Sequence, residues 1–420
     1  MQTSALSTYL NRQLQYPVSE KQPFESERDI IVVIPAYKEI DLTRSINSLW
    51  QSRSSFIRVG IIVHFNQHEE DDETAKEIHH QAISSLKTWY EGKKSVFLEL
   101  AIMESILPER DAGVGLARKI GMDWAVRSFE KWQKPNGIIA CFDADSICEK
   151  NYLIELKSFF DRNRPNGVSI HFEHPYVELK DRSQAHAIIR YELHLRYLVH
   201  GFRYAGVRQA FHAIGSSMAV TAEAYAKQGG MNKRKAGEDF YFMQKIVNLG
   251  RYFELNTTTV YPSARESDRV PFGTGRAMMD AKCERKEFTF SYAWNNFETL
   301  RELLEHKVLF YEDPEAGFKK SPSILQPFLS NIHFVQSIKK LSQNSSNYAQ
   351  FDNAFHQWFD GFKAMKAMHF LRDHICPDQT LLDGVAKMMR KEGATLAEKE
   401  YEAALLQLRE WDKTHPHFVL

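Results

Sequence analysis

The sequence predicts an α/β fold: a Rossmann-like, mostly parallel sheet flanked by helices, followed by an α-helical C-terminal extension. Residues 29–35 (Asp-Ile-Ile-Val-Val-Ile-Pro) form a near-continuous β-branched run, the pattern of a parallel strand buried on both faces. Strand-like runs then alternate with helical stretches of about 12 to 20 residues, the signature of βαβ units in a doubly wound sheet. From about residue 275 the β-pattern stops.

In order along the chain, residues 1–28 are a polar arm, irregular or loosely helical. After the first strand, residues 41–52 read as a helix, with Leu42, Ile46 and Leu49 on one face. Residues 58–65 form a second strand through Val59, Ile61, Ile62 and Val63, residues 71–90 a polar amphipathic helix, and residues 95–103 a third strand. A helix over 112–132 leads to a fourth strand over 137–142. Beyond it come a helix (149–163), a strand (167–172), a long helix rich in His, Tyr and Arg (182–203), a short strand (217–220) with a helix to 227, a helix (237–249) and a strand (257–261). Residues 280–420 read as helices broken near Pro314, Pro322, Pro327 and Pro377. The expected organisation is an arm (1–28), a sheet domain (29–278) and a helical extension (279–420).

With 420 residues the chain exceeds the length of a single core, which stops growing at roughly 250–300 residues. Hydrophobic residues at 43% and charged residues at 26% place it among ordinary globular proteins. Lys+Arg and Asp+Glu both number 54, which argues against nucleic-acid binding through a global positive field. Cys141, Cys148, Cys283 and Cys376 show no CxxC or zinc spacing and fit a reducing compartment. Residues 1–21 lack an apolar leader core, and no run approaches the ~18 apolar residues of a membrane span. The expectation is a cytoplasmic protein, with peripheral contact at a membrane surface left open.

The chemistry concentrates at strand ends. The fourth strand stops at Asp143-Ala144-Asp145. Side chains at i and i+2 of an extended chain point the same way, and two hard oxygen ligands suit Mg²⁺ or Mn²⁺ carried with a diphosphate. The first strand runs into Pro35-Ala36-Tyr37-Lys38-Glu39. Pro35 is expected to stop the strand, leaving Glu39 near the crevice at the carboxyl ends of the strands, where open α/β sheets bind ligands. Asn66, at the end of the second strand, is placed to read a base or ribose. The acidic run from Glu69 to Glu73 reads as a solvated loop, with Asp71 or Asp72 capping a helix. Residues 111–121 carry glycines into a helix, offering amides to a phosphate. In that helix Arg118 either contacts phosphate or forms a salt bridge that orients Asp143. Glu238-Asp239 stands at the start of a helix. Residues 263–276 carry Arg265, Arg269 and Arg276 around a Gly-Thr-Gly turn. They read either as a lid gripping a diphosphate or as a surface loop. The histidines of residues 186–200 and the segment Phe355–Phe359 read as structural.

In this order, these segments resemble an inverting family 2 glycosyltransferase with the GT-A fold. The matching pieces are Ile34-Pro35-Ala36-Tyr37-Lys38-Glu39, the helix around Arg118, Asp143-Ala144-Asp145, Gly215-Ser216-Ser217-Met218 and Gly237-Glu238-Asp239-Phe240, spanning roughly residues 29–275. The resemblance implies a glycosyltransferase, of the hexosyltransferase class, that uses a nucleotide-diphosphate sugar donor and Mg²⁺ or Mn²⁺. It implies that Asp145, with Asp143, binds the metal, that Pro35, Tyr37, Glu39, Asn66, Arg118, Asp143, Arg269 and Arg276 line the donor site, and that Asp239, beside Glu238, is the general base. The acceptor would be a hydroxyl on a glycan, a lipid-linked molecule or a small molecule.

Three departures are visible. The family's Asp-Asp-Gly-Ser stretch after the second strand is replaced by Phe65-Asn66-Gln67-His68. The Gln-x-x-Arg-Trp motif of processive synthases is absent, which points to transfer of one sugar. No histidine lies between Tyr261 and Arg276 to serve as a third metal ligand. The rival readings are a sugar nucleotidyltransferase and a non-catalytic carbohydrate-binding scaffold. The helical extension is expected to cap the acceptor site or to mediate homo-oligomerisation.

Overall fold

The computed structural model describes residues 4–12, 23–107, 112–234, 237–267, 273–285 and 287–420. The elements that position the site are α1 (Ala5–Arg12), β1 (Ile30–Ala36), α2 (Leu42–Gln51), β2 (Val59–His68), α3 (Glu73–Glu91), β3 (Leu98–Leu107), α4 (Val114–Lys131), β4 (Ile138–Cys141), β5 (Ile147–Cys148), α5 (Tyr152–Asn163), β6 (Gly167–Phe172), α6 (Arg182–Ala205), β7 (Met218–Thr221), α7 (Ala222–Lys227), α8 (Glu238–Val247), β8 (Tyr252–Tyr261) and α9 (Thr274–Lys282). The α/β class, the sheet flanked by helices and the helical C-terminal region are as the sequence predicts.

The chain divides into two compact units. The first holds residues 1–179, 213–279 and 412–420; the second holds 180–212 and 280–411. The segment carrying α6 thus groups with the helical unit. The last residues group with the sheet, where Phe418–Val419 pairs antiparallel with β8.

In the first unit, β4, β1, β2 and β3 lie side by side and parallel. β7 then pairs antiparallel with both β4 and β6, and β6 pairs parallel with β8. The sheet is therefore more mixed than the expected parallel run. Met218–Thr221 is only 4 residues long and carries no directional signal of its own. β1 runs through Pro35 to Ala36 rather than stopping at Pro35. Pairing with β4 ends at Val33, so the missing N–H of Pro35 leaves no gap in that ladder.

Alternation along β1 divides the core. Ile30, Val32, Ile34 and Ala36 join Leu42, Ile46 and Leu49 of α2, Ala82, Ile83 and Leu86 of α3, and Leu153 and Leu156 of α5 in one buried cluster. Val33 faces α4, where a Cβ on Gly121 would lie 2.5 Å from its Cγ1. Only glycine lets that helix approach so closely. The arm is anchored by α1, whose buried Tyr9 donates a 2.6 Å hydrogen bond to Asp123 of α4.

In the second unit, Glu192 and Arg196 are fully buried on α6. Arg196 and Arg409 both donate to the Glu192 carboxylate, at 2.8 Å each. This His- and Arg-rich helix thus buries a carboxylate between two guanidinium groups. Phe355, His356 and Phe359 are buried, as expected of helix core. No helix among the described residues is long and apolar enough to cross a membrane.

Candidate active site

The parallel run of β4, β1 and β2 places the residues that follow these strands at the same, carboxyl end of the sheet. Asp143 and Asp145 follow β4. Both are half-exposed, while Ala144 and Ser146 between and after them are buried; Asp143 engages Arg118 and Asp145 engages Arg265. The turn is held by the Ser146 N–H, which donates to the Asp143 carbonyl at 3.1 Å.

Arg118 organises the first cluster. It projects from α4, is 1% exposed, and donates through Nη2 to Asp143 Oδ1 at 2.5 Å and through Nη1 to Glu238 Oε1. Burial works against its charge, but Asp143 and Glu238 outweigh it and raise its pKa. Of the two sequence readings of Arg118, the salt bridge to Asp143 is the one observed. The second partner, Glu238, was not anticipated.

Glu238 opens α8, preceded by Gly237 in the left-handed region (φ 70°). Burial pushes its carboxyl up to about 7, against the opposing pull of Arg118. Asp239 is half-buried and accepts the Phe240 N–H at 2.8 Å. Burial raises its carboxyl too, again against Arg118. Two coupled carboxyls with raised affinity for protons thus stand beside one guanidinium.

Gly215 explains why small residues precede this helix. A Cβ there would lie 2.9 Å from Nη2 and 3.0 Å from Nη1 of Arg118. The guanidinium is pinned by two carboxylates, so it cannot yield without breaking a charged hydrogen bond. Gly215→Ala is expected to cost about 1 to 3 kcal/mol of stability, the range for overpacking a close-packed site. A thermal midpoint equal to wild type would show that the guanidinium relaxes freely.

A second cluster joins Glu39, Asp145 and Arg265. Glu39 is 4% exposed. Arg265 donates to both its oxygens, at 2.8 Å to Oε1 and more closely to Oε2. The same Nη2 lies 2.8 Å from Asp145 Oδ2.

A third cluster surrounds Tyr37. Its hydroxyl donates to Asp71 Oδ1 at 2.7 Å, and its ring stacks on His68 with centroids 4.7 Å apart. Asp71 is held below the usual carboxylate range: burial raises it, but the His68 N–H and the Tyr37 hydroxyl outweigh burial. Asp72 rather than Asp71 caps α3, accepting the Ala75 N–H at 2.8 Å. The sequence does not pair Asp71 or His68 with Tyr37, since only the fold brings them together.

The remaining candidates scatter. Pro35 is buried within β1, paired with His64, and Asn66 is buried at 3% exposure on β2. Arg276 is half-buried on α9. Arg269 lies outside the described residues. On either side of that stretch, the Ser267 N–H donates to the Gly275 carbonyl at 3.2 Å.

Among the described residues, no group of three or more His, Cys, Asp or Glu side chains converges as a metal cage. Magnesium-like ions that arrive with a diphosphate typically use one or two carboxylates plus phosphate oxygens. Asp143 and Asp145 fit that donor set, although Arg118 and Arg265 already engage them.

No protein-family model matches this sequence, and a search of curated proteins by sequence finds no match. Solved structures that match this chain include S. aureus TarS 1–349 in complex with UDP-GlcNAc, at 13% identity and a TM-score of 0.39, covering 79% of this chain and 91% of that one. A mannosyltransferase from Pyrobaculum calidifontis in complex with GDP-Man and Mn²⁺ matches at 13% identity and a TM-score of 0.37, covering 98% and 94%. GalNAc-T7 with UDP, GalNAc and Mn²⁺ matches at 13% identity and a TM-score of 0.36, covering 71% of this chain and 55% of that one.

Proposed function

We propose that this chain is a metal-dependent inverting glycosyltransferase with a GT-A domain, moving one sugar from a nucleotide-diphosphate sugar to an acceptor hydroxyl. The observation that carries the reading is Arg118 tying Asp143 to Glu238. It joins a strand-end carboxylate pair, suited to a metal diphosphate, to a helix-start carboxylate pair, suited to proton abstraction.

Asp239 is the general base and Glu238 its neighbour and positioning partner. The buried Glu238 is committed to Arg118, whereas Asp239 is only half-buried and would be left to take the proton of an incoming hydroxyl. An inverting displacement needs a base within hydrogen-bond distance of the attacking oxygen, on the side away from the leaving diphosphate. Asp145 and Asp143 would hold Mg²⁺ or Mn²⁺. When bound, the ion would stabilise the negative charge developing on the leaving diphosphate. Tyr37, just past β1 and stacked on His68 at the end of β2, would contact the nucleoside.

The test is a thermal-shift screen of UDP-, GDP-, CDP- and dTDP-sugars, each with Mn²⁺, Mg²⁺ or EDTA, since a ligand of the folded state raises its midpoint. One nucleotide should stabilise the protein only with metal, and Asp145→Ala should remove that shift. No shift with any nucleotide would favour a non-catalytic scaffold, and equal shifts with and without metal would remove the metal from the proposal.

A further inference from the structure

The loop after β8 delivers a cation to the metal-binding carboxylate. β5, directly after Asp145 and Ser146, pairs antiparallel with the end of β8, Ile147 opposite Tyr261. The Glu149 carboxylate accepts the Thr259 N–H at 2.9 Å and fixes that pairing. The chain leaving Tyr261 therefore passes beside the Asp143–Asp145 turn, and Arg265 reaches both Asp145 and Glu39. Glu39 is almost fully buried, so its charge needs a partner. The arginine fork supplies one in a two-pronged arrangement while leaving its side chain 39% exposed. Arg118 is already committed to Asp143 and Glu238.

We infer that Arg265 is an internal counter-cation for Asp145, that Glu39 is the positioning residue that holds it there, and that donor binding exchanges it. This rests on the donor-site reading above. A divalent ion and a guanidinium compete for Asp145 Oδ2. In the free protein the ion must displace a cation that Glu39 tethers beside Asp145, and it then stands next to that positive charge. A nucleoside diphosphate removes that obstacle, because its phosphate oxygens offer Arg265 a new partner. Metal and nucleotide then bind as a coupled pair, and Glu39 serves as a dock for Arg265 instead of a contact for the nucleoside.

The experiment is a Mn²⁺ titration followed by electron paramagnetic resonance, with no nucleotide present. It compares wild type, Arg265→Gln and the double variant Arg265→Gln/Glu39→Gln, which removes the Glu39 charge together with that of its guanidinium partner. Removing the competing cation should tighten Mn²⁺ binding by about five- to a hundredfold, the usual span of coupling between ligands. Adding Asp145→Asn to the double variant should abolish the gain. Equal Mn²⁺ affinity in all three proteins, lost with Asp145→Asn, would overturn the exchange while leaving the metal site standing. If no variant binds Mn²⁺, yet UDP or GDP binds without metal and is lost in Arg265→Gln, Arg265 is a permanent substitute for the ion. That result overturns both the exchange and the metal dependence.

Discussion

Replacing Arg118 with methionine is expected to destabilise the sheet unit by about 3 to 5 kcal/mol, because it strips the partner from a buried charge and leaves that charge behind. Glu238 bears most of the loss. Its side chain is 4% exposed, whereas that of Asp143 is 35% exposed and can turn to water. The deficit should depend on pH. The Glu238 carboxyl stands near 7 even with Arg118 present. A carboxyl raised on folding favours the folded state while it is protonated, and that benefit is lost as pH rises through the folded value. Without Arg118 the folded value climbs further, so the window of loss extends to higher pH. Thermal midpoints of Arg118→Met against wild type should differ little near pH 5 and strongly near pH 8. A deficit that is equal at both, or larger in acid, would show that Arg118 does not carry the Glu238 charge. Arg118→Lys should recover only part of the loss, since a single ammonium does not reproduce the fork that joins two separate carboxylates.

That arginine also marks how far the sequence could be read. The strand bearing Asp143 and Asp145 was legible because a buried parallel strand is apolar along its whole length, and the carboxylates end that pattern. The link to Glu238 was not, because the two residues lie 120 positions apart and neither local stretch encodes the other. Glu39 and Arg265, 226 positions apart, are a harder case. Each was a candidate alone, but their pairing depends on the short β5–β8 ladder that aims the loop. Asp71 was read as solvated because it sits in an acidic run. The fold turns it inward onto Tyr37, leaving Asp72 to cap the helix. The antiparallel β7 and the grouping of residues 180–212 with the helical unit escaped for the same reason. Periodicity reports which face of an element is apolar, not which neighbour covers it or in which direction.

Replacing Asp239 with asparagine is expected to lower kcat by about 10²- to 10⁴-fold, the range for loss of a positioned general base, with donor affinity nearly unchanged. The substitution keeps the shape and the capacity to accept the Phe240 N–H, and removes only the basicity. Donor binding, measured by calorimetry with the nucleotide and metal that the screen identifies, should stay within a few-fold of wild type if Asp239 serves the acceptor as proposed. A kcat within about tenfold of wild type would shift the role to Glu238 or to water. The pH profile separates these cases. Both carboxyls are raised by burial, so in wild type the acidic limb of kcat should lie above the ordinary carboxylate range, with activity gained as pH rises and the base ionises. The apparent midpoint belongs to the pair, since the two groups titrate together. Glu238→Gln removes one of two like charges, so ionising Asp239 becomes easier and the limb should move to lower pH. If Asp239 were a bystander, the limb would vanish or stay fixed in Glu238→Gln. A downward shift in Glu238→Gln together with loss of rate in Asp239→Asn would identify Asp239 as the group that takes the proton and Glu238 as the neighbour that sets its pKa.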